Sequence, residues 1–177
     1  MTIVWIILAI IIVFIAGVLI YASTKPSIMH YSRWAHVKAP PEKIFPLIND
    51  YKNWSAWSPY EKKDPGMKRT YSGAPAGKGA VYTWEGNKNV GTGRMEITDT
   101  APPGRVTIKL DFVKPFEAHN IVDFTMESKG DATLVTWAMR GPCPFMGKVM
   151  SVFINMDRMV GKDFEAGLAN LKAVAER

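Results

Sequence analysis

Residues 3–22, IVWIILAIIIVFIAGVLIYA, carry no charged side chain, and no other feature of the chain limits its possible folds so strongly. At ~1.5 Å per residue such a run spans roughly 30 Å as a helix, about the thickness of bilayer hydrocarbon. Its Ile, Val, Leu and Phe residues each favour insertion, by about 0.3 to 0.6 kcal/mol near the bilayer centre. Lys25-Pro26 closes the run: a charge marks the interface, and proline disfavours helical backbone in the residue before it. The competing reading is a cleaved signal peptide, which calls for a basic start, a shorter apolar core and a small-residue cleavage site. Met1-Thr2 offers no basic side chain and the run is long, although Ala22-Ser23-Thr24 is small enough for cleavage. Residues 1–24 are therefore expected to be a retained single-pass membrane anchor, followed by a stalk at 25–28 and a soluble domain at 29–177.

Lys25, Arg33, Lys38 and Lys43 all follow the apolar run, and only the α-amino group precedes it. By the positive-inside rule this places the domain in the cytoplasm, although long domains can also be translocated regardless of charge. The single cysteine, Cys143, offers no disulfide framework and agrees with a reducing compartment. The net charge of +6 belongs entirely to the part after the run and suits a domain beside anionic lipid. Basic residues alternate with Asp and Glu along the chain without a dense basic run, which argues against a nucleic-acid partner.

After the stalk, Tyr31 to Val37 reads as a strand with Tyr31, Arg33, Ala35 and Val37 on one face. Pro40-Pro41-Glu42 then opens a helix through Ile44, Phe45, Leu47 and Ile48, with Pro46 as a point of strain. A second short helix covers Tyr51 to Trp57 and stops at Ser58-Pro59. Turn signals then recur at hairpin intervals, at Gly66, Ser72-Gly73, Gly77-Lys78-Gly79, Gly86-Asn87, Pro102-Pro103-Gly104, Lys114-Pro115 and Lys129-Gly130-Asp131. Between them, large apolar residues alternate at period two, as in Tyr82, Trp84; Met95, Ile97; Ile108, Leu110, Phe112; Val122, Phe124, Met126; and Val135, Trp137, Met139. One face of an antiparallel sheet is thus covered and the other wet. Beyond Gly141-Pro142 the spacing becomes helical: Val149, Phe153, Met156, Val160, Phe164, Gly167, Leu171 and Val174 form one stripe that must lie on the sheet. Gly161 and Gly167 permit its close approach. The class is α+β, in the order strand, two short helices, six strands, one long helix.

This order, with Ala39-Pro40-Pro41-Glu42-Lys43-Ile44-Phe45, Asn49-Asp50, Trp54-Ser55-Ala56-Trp57-Ser58-Pro59, Asp64-Pro65, Tyr71-Ser72-Gly73, Gly77 to Trp84, Val135-Thr136-Trp137 and Asp163 to Leu168, resembles the START-like (SRPBCC) superfamily, in its bacterial polyketide cyclase/dehydrase-type branch. The resemblance implies a helix-grip fold, a curved antiparallel sheet of about seven strands wrapped around a long C-terminal helix. It also implies a cavity for a hydrophobic small molecule between the two, with catalysis in only a minority of members, so that fold alone does not assign an activity.

Tyr82, Trp84, Met95, Leu110, Phe124, Trp137 and Met139 are expected to face Phe153, Met156 and Val160 across such a cavity, with Trp57 beside them. The bland alternative is a solid core built from the same residues. Trp54 and Trp57, three apart, lie on one side of their short helix and either close the cavity mouth or cap the core edge. His30, His36 and His119 are too far apart in sequence for a metal-ligand motif, and no metal or other cofactor is called for. Gly77-Lys78-Gly79 and Gly91-Thr92-Gly93 precede strands, so they read as turns or bulges rather than phosphate loops. Glu85, Arg94, Glu96, Asp111, Asp123 and Arg140 fall mostly on the wet face, and no catalytic residue is assigned. The expectation is a membrane-anchored binding module for a lipid-like or aromatic molecule. A cyclase or dehydrase and a protein-interaction module of the same superfamily are the alternatives.

Overall fold

A computed structural model describes residues 2–177. Helix α1 (Thr2–Ser23) holds the uncharged run and is long and apolar enough to cross a membrane, as a signal sequence also is. Strand β1 (Ile28–Val37) follows, then α2 (Pro41–Asn49), a 3-10 helix (Tyr51–Ala56) and α3 (Pro59–Lys63). Six further strands come next: β2 (Lys68–Gly73), β3 (Ala80–Glu85), β4 (Thr92–Ala101), β5 (Arg105–Lys114), β6 (Ala118–Lys129) and β7 (Ala132–Pro142). Helices α4 (Phe145–Phe153) and α5 (Met156–Ala175) complete the chain.

The seven strands form one antiparallel sheet in the order β1-β7-β6-β5-β4-β3-β2. Alternation holds along each central strand: Tyr82, Trp84, Met95, Ile97, Ile108, Leu110, Val122, Phe124, Val135 and Trp137 are all buried on the helix side. A register shift between Ile97 and Asp99 interrupts the β4–β5 pairing. Such a bulge bends its strand and strengthens the local twist. The result is a helix-grip architecture, with α5 lying across the covered face nearest β1 and β7.

Two devices fasten α5 there. The Arg33 guanidinium, on β1, reaches Asp157 (2.9 Å) and Glu165 (2.7 Å) and crosses the helix over Gly161, where a Cβ would collide with it. Farther along, a Cβ on Gly167 would stand 2.6 Å from the Trp137 ring, so glycine is what lets helix and strand meet. The core below combines Ile44 and Ile48 of α2, Ile97, Val106 and Ile108 of the sheet, and Phe164, Leu168 and Leu171 of α5, all essentially inaccessible.

The C-terminal stripe forms two helices rather than the one expected. Ile154 is extended, and the Asn155 side chain accepts a hydrogen bond from the Arg158 amide (2.9 Å), capping a new helix. A side-chain cap supplies a partner to one of the free amides of a helix start, so Asn155 favours a boundary where the apolar spacing alone favours continuity. Ser58-Pro59, expected as a stop, is also a start: Pro59 occupies the first turn of α3 and Glu61 follows in the same turn.

Candidate functional site

All seven strands are antiparallel neighbours, so the start of β1, the end of β7, the start of β6, the end of β5, the start of β4 and the end of β3 share one end of the sheet. At the opposite end the covered face is filled. The Trp54 and Trp57 rings pack 4.9 Å apart, Trp57 meets Trp137 edge-on at 5.7 Å, and Trp137 stacks on Phe164 at 4.2 Å. The indoles of Trp54, on the 3-10 helix, and Trp57, at its C-terminal end, are anchored through their Nε1 atoms, which donate to the carbonyls of Ile48 (2.9 Å) and Leu47 (2.8 Å). This aromatic block is the floor of a hollow.

Above it lies a cavity of about 300 Å³. Eight of the expected wall residues line it: Tyr82, Trp84, Met95, Leu110, Trp137 and Met139 from the sheet, and Met156 and Val160 from α5. Trp54 joins them, as do residues the alternation did not single out, among them Met29, Met67, Val90 and Asn120. Three expected residues stand elsewhere. Trp57 and Phe124 are completely buried in the floor, behind Trp54 and Trp137. Phe153 lies on α4, is 64% exposed and points away from the cavity, because the break at Ile154-Asn155 turns α4 off the α5 stripe.

Polar groups on this wall are few. Asn120 is 3% exposed and its Oδ1 has no partner within the protein. Trp137 Nε1 is likewise buried and unpaired. Unpaired buried polar atoms are uncommon in folded proteins, each costing ~1 to 3 kcal/mol. Glu61, on α3, accepts a hydrogen bond from the Tyr82 hydroxyl (2.7 Å) and another from Arg69 Nε (2.6 Å). Burial first, and then the hydrogen bond to Glu61, pushes the Tyr82 phenol well above its ordinary range, so it stays protonated and donating. Tyr60, also on the wall, is raised by burial.

The charged strand residues stand on the other face. Arg94 pairs with Glu96 (2.7 Å), Arg140 with Asp123 (3.4 Å), and His119 Nδ1 with Asp111 (2.7 Å). That hydrogen bond raises the His119 pKa. Burial works against the Asp111 carboxylate, but His119 and Lys109 outweigh it and hold its pKa low. Among the described residues, no group of three or more His, Cys, Asp or Glu side chains comes together as a metal site. Gly77, Gly79 and Gly91 adopt left-handed backbone in the turns before β3 and β4, as their positions predict.

The fold is matched by the comparisons with known proteins. Residues 29–176 fit the family described as polyketide cyclase / dehydrase and lipid transport. The chain belongs to this family. No curated protein matches it. Among solved structures it is similar to the di-domain ARO/CYC BexL from the BE-7585A biosynthetic pathway, at a TM-score of 0.65 and 11% identity, over 89% of this chain and 53% of that one. It is similar also to protein CV1439 from Chromobacterium violaceum, at a TM-score of 0.60 and 14% identity, over 86% and 99% of the two chains. Ara h 8.0201 gives a TM-score of 0.56 at 10% identity, over 84% and 97%. At these identities the solved structures establish the fold, and the polyketide cyclase/dehydrase and lipid transport family spans residues 29–176.

Glu61 was missed in the sequence because Ser58-Pro59 reads as a terminator. The available signal was Pro59 with a carboxylate two residues on, the pattern of a helix start. Asn120 carried no signal, since a lone polar residue in an alternating strand marks neither a turn nor a site.

Proposed function

We propose that the chain is a membrane-anchored binding module that holds a hydrophobic, lipid-like or aromatic small molecule between the sheet and α5, with residues 1–24 as anchor, 25–28 as stalk and 29–177 as the binding domain. The cavity carries this reading. Its volume of about 300 Å³ is twice the ~150 Å³ of an engineered apolar cavity that admits benzene. Apolar walls that face a hollow rather than packed atoms forfeit the dispersion contacts a filled core supplies. A domain of marginal stability tolerates that where a guest fills the space. Methionines at 29, 67, 95, 139 and 156 suit an irregular guest because their side chains adapt to shape. The Asn120 carboxamide turns about a soft terminal torsion, so it can offer either its donor or its acceptor to a polar group on that guest.

Native mass spectrometry of the full chain, released from mild detergent, tests the proposal. The expected spectrum contains a bound amphiphile that disappears in Leu110→Trp, where the added ring fills the hollow. Repeated recovery of an empty chain, unaltered by added fatty acids or aromatic amphiphiles, overturns it.

The Glu61–Tyr82 pair favours a second reading, acid–base chemistry on a polyketide-like guest. Tyr82 is a protonated donor, and Glu61 is a carboxylate hydrogen-bonded to it on the same wall. This reading requires that Tyr82→Phe and Glu61→Gln leave guest binding intact while abolishing turnover. Equal loss of both properties removes it.

A further inference from the structure

The cavity opens at the end of the sheet that adjoins α1. Strand β1 begins five residues after α1 ends, and the strand ends that share this side contribute the partly exposed wall residues Met29, Phe112 and Ala118. Met156 and Val160, at the start of α5, complete the rim. The filled floor and the β6–β7 turn lie toward the other end.

Helix α4 leaves this rim and buries none of its residues in the domain. It lies beside α1, whose shielded positions Val18 and Ala22 sit one helical turn apart within the uncharged run. The Lys148 Nζ atom donates to Ser27 Oγ (2.9 Å) and the Cys143 amide donates to the Ser27 carbonyl (2.9 Å), which ties α4 to the stalk. Phe145, Met146, Met150, Phe153 and Ile154 are all exposed. On the far side of the mouth, Val113 at the end of β5 and Phe116 in the β5–β6 turn are 58% and 72% exposed. Lys25, Lys88, Lys114 and Arg158 stand at the same end; of the carboxylates there, Asp157 is engaged by Arg33, Glu85 by Lys68, Asp111 by Lys109 and His119, Glu117 by His119, and Asp64 by the Asn87 amide. An exposed apolar patch of this extent, rimmed by cations and packed along a helix of bilayer length, has the composition of an interfacial surface.

We infer that α4 and the β5–β6 turn embed in the lipid bilayer beside α1, so that the cavity mouth faces the membrane and the guest passes between bilayer and cavity without crossing water. The inference rests on the anchor and on the cavity as proposed above, and it names the bilayer as the source of the guest. Water is the barrier for such a molecule, because every methylene exposed to it is unfavourable. A mouth apposed to lipid removes that barrier.

The test uses the full chain carrying Cys143→Ser, reconstituted in phosphatidylcholine vesicles with and without phosphatidylglycerol. Cysteines introduced singly at Phe116, Met150 and Phe153 are labelled with an environment-sensitive fluorophore, and Ser128, exposed near the distal end of β6, serves as control. The expected result is blue-shifted emission and loss of fluorescence to doxyl-labelled lipid at the first three sites, with neither at the fourth. Transfer of a pyrene-labelled fatty acid between protein and vesicles should slow in Met150→Asp/Phe153→Asp, with occupancy in micelles unchanged. Water-like, unquenched emission at all four sites overturns the inference. Blue-shifted emission that lipid does not quench and that dilution among more vesicles abolishes also overturns it, by showing a second copy of the chain on the patch. Failure of the fatty acid to bind in micelles counts against the cavity proposal instead, and the quenching pattern still decides the docking.

Discussion

Asn120 stands at odds with its strand neighbours, a carboxamide where alternation supplies Val122, Phe124 and Met126. Replacing a buried, unpaired polar side chain by an apolar one of similar volume removes a desolvation cost, so Asn120→Leu is expected to stabilise the chain by about 1 kcal/mol. The same change should weaken binding of any guest that carries a hydroxyl, carbonyl or carboxyl group. Denaturation midpoints together with native mass spectrometry check both halves, and a variant that loses stability and keeps binding contradicts the assigned role. His119 makes a separate prediction on the wet face. Its pKa is raised by Asp111, so its stabilising contribution is complete below the ordinary histidine value of about 6.5 and is lost as pH rises through the higher folded-state value. Asp111 works in the opposite sense, contributing above the ordinary carboxylate range and losing its effect as pH falls through its lowered value. Imidazole NMR titration should place His119 above the free value and bring it back in Asp111→Asn.

The hollow exists at the scale of elements, because of where helices end. At one end of the sheet, α2 and the 3-10 helix bring Ile44, Ile48, Trp54 and Trp57 over the strands and fill the space. At the other end, the helical stripe that could have covered Met139 and Leu110 breaks at Ile154-Asn155, and α4 turns toward α1. The seat of α5 depends on Gly167, which lets the helix backbone approach the Trp137 ring. In Gly167→Val the added side chain meets that ring and Pro59, so α5 must lift. Overpacking of this kind costs about 1–3 kcal/mol. Urea unfolding of the full chain in micelles measures the cost, and an unchanged midpoint would show that the helix is not seated there.

For the whole molecule, the uncharged run gives a helix long and apolar enough to cross a membrane. Ile11→Arg/Ile12→Arg adds two charges at the middle of α1, each opposing insertion by about 2.5 to 3.5 kcal/mol, and should move the chain out of the carbonate-resistant membrane fraction. A cytoplasmic domain, as the positive-inside rule predicts, would be digested by protease added to inverted vesicles and protected in right-side-out vesicles. The reverse pattern would mean that the domain was translocated past Lys25, Arg33, Lys38 and Lys43 despite their charge.

The sheet was legible because period-two alternation is a local property: Tyr82 and Trp84, or Val135 and Trp137, declare their covered face whatever lies opposite. The same holds for α1, whose composition needs no partner to be read. Eight of the eleven expected wall residues line the cavity, since a side chain on the covered face must meet either core or hollow. Which of the two it meets is not local. Phe124 shares the pattern of Trp84 and Leu110, yet it is floor rather than wall, because the 3-10 helix and the residue that ends it bring Trp54 and Trp57 onto it from a distant part of the chain. Phe153 keeps the helical spacing of Met156 and Val160, but one asparagine cap turns it outward. Glu61 joins the wall only through contact with Tyr82 and Arg69 across the fold. The amino-acid order thus determined the anchor-like helix, the strands and their covered faces, through periodicity and charge acting over a few residues. The tertiary structure alone decided that a cavity exists, how large it is and that its mouth adjoins α1, since volume left between elements depends on long-range packing that no short window of residues encodes.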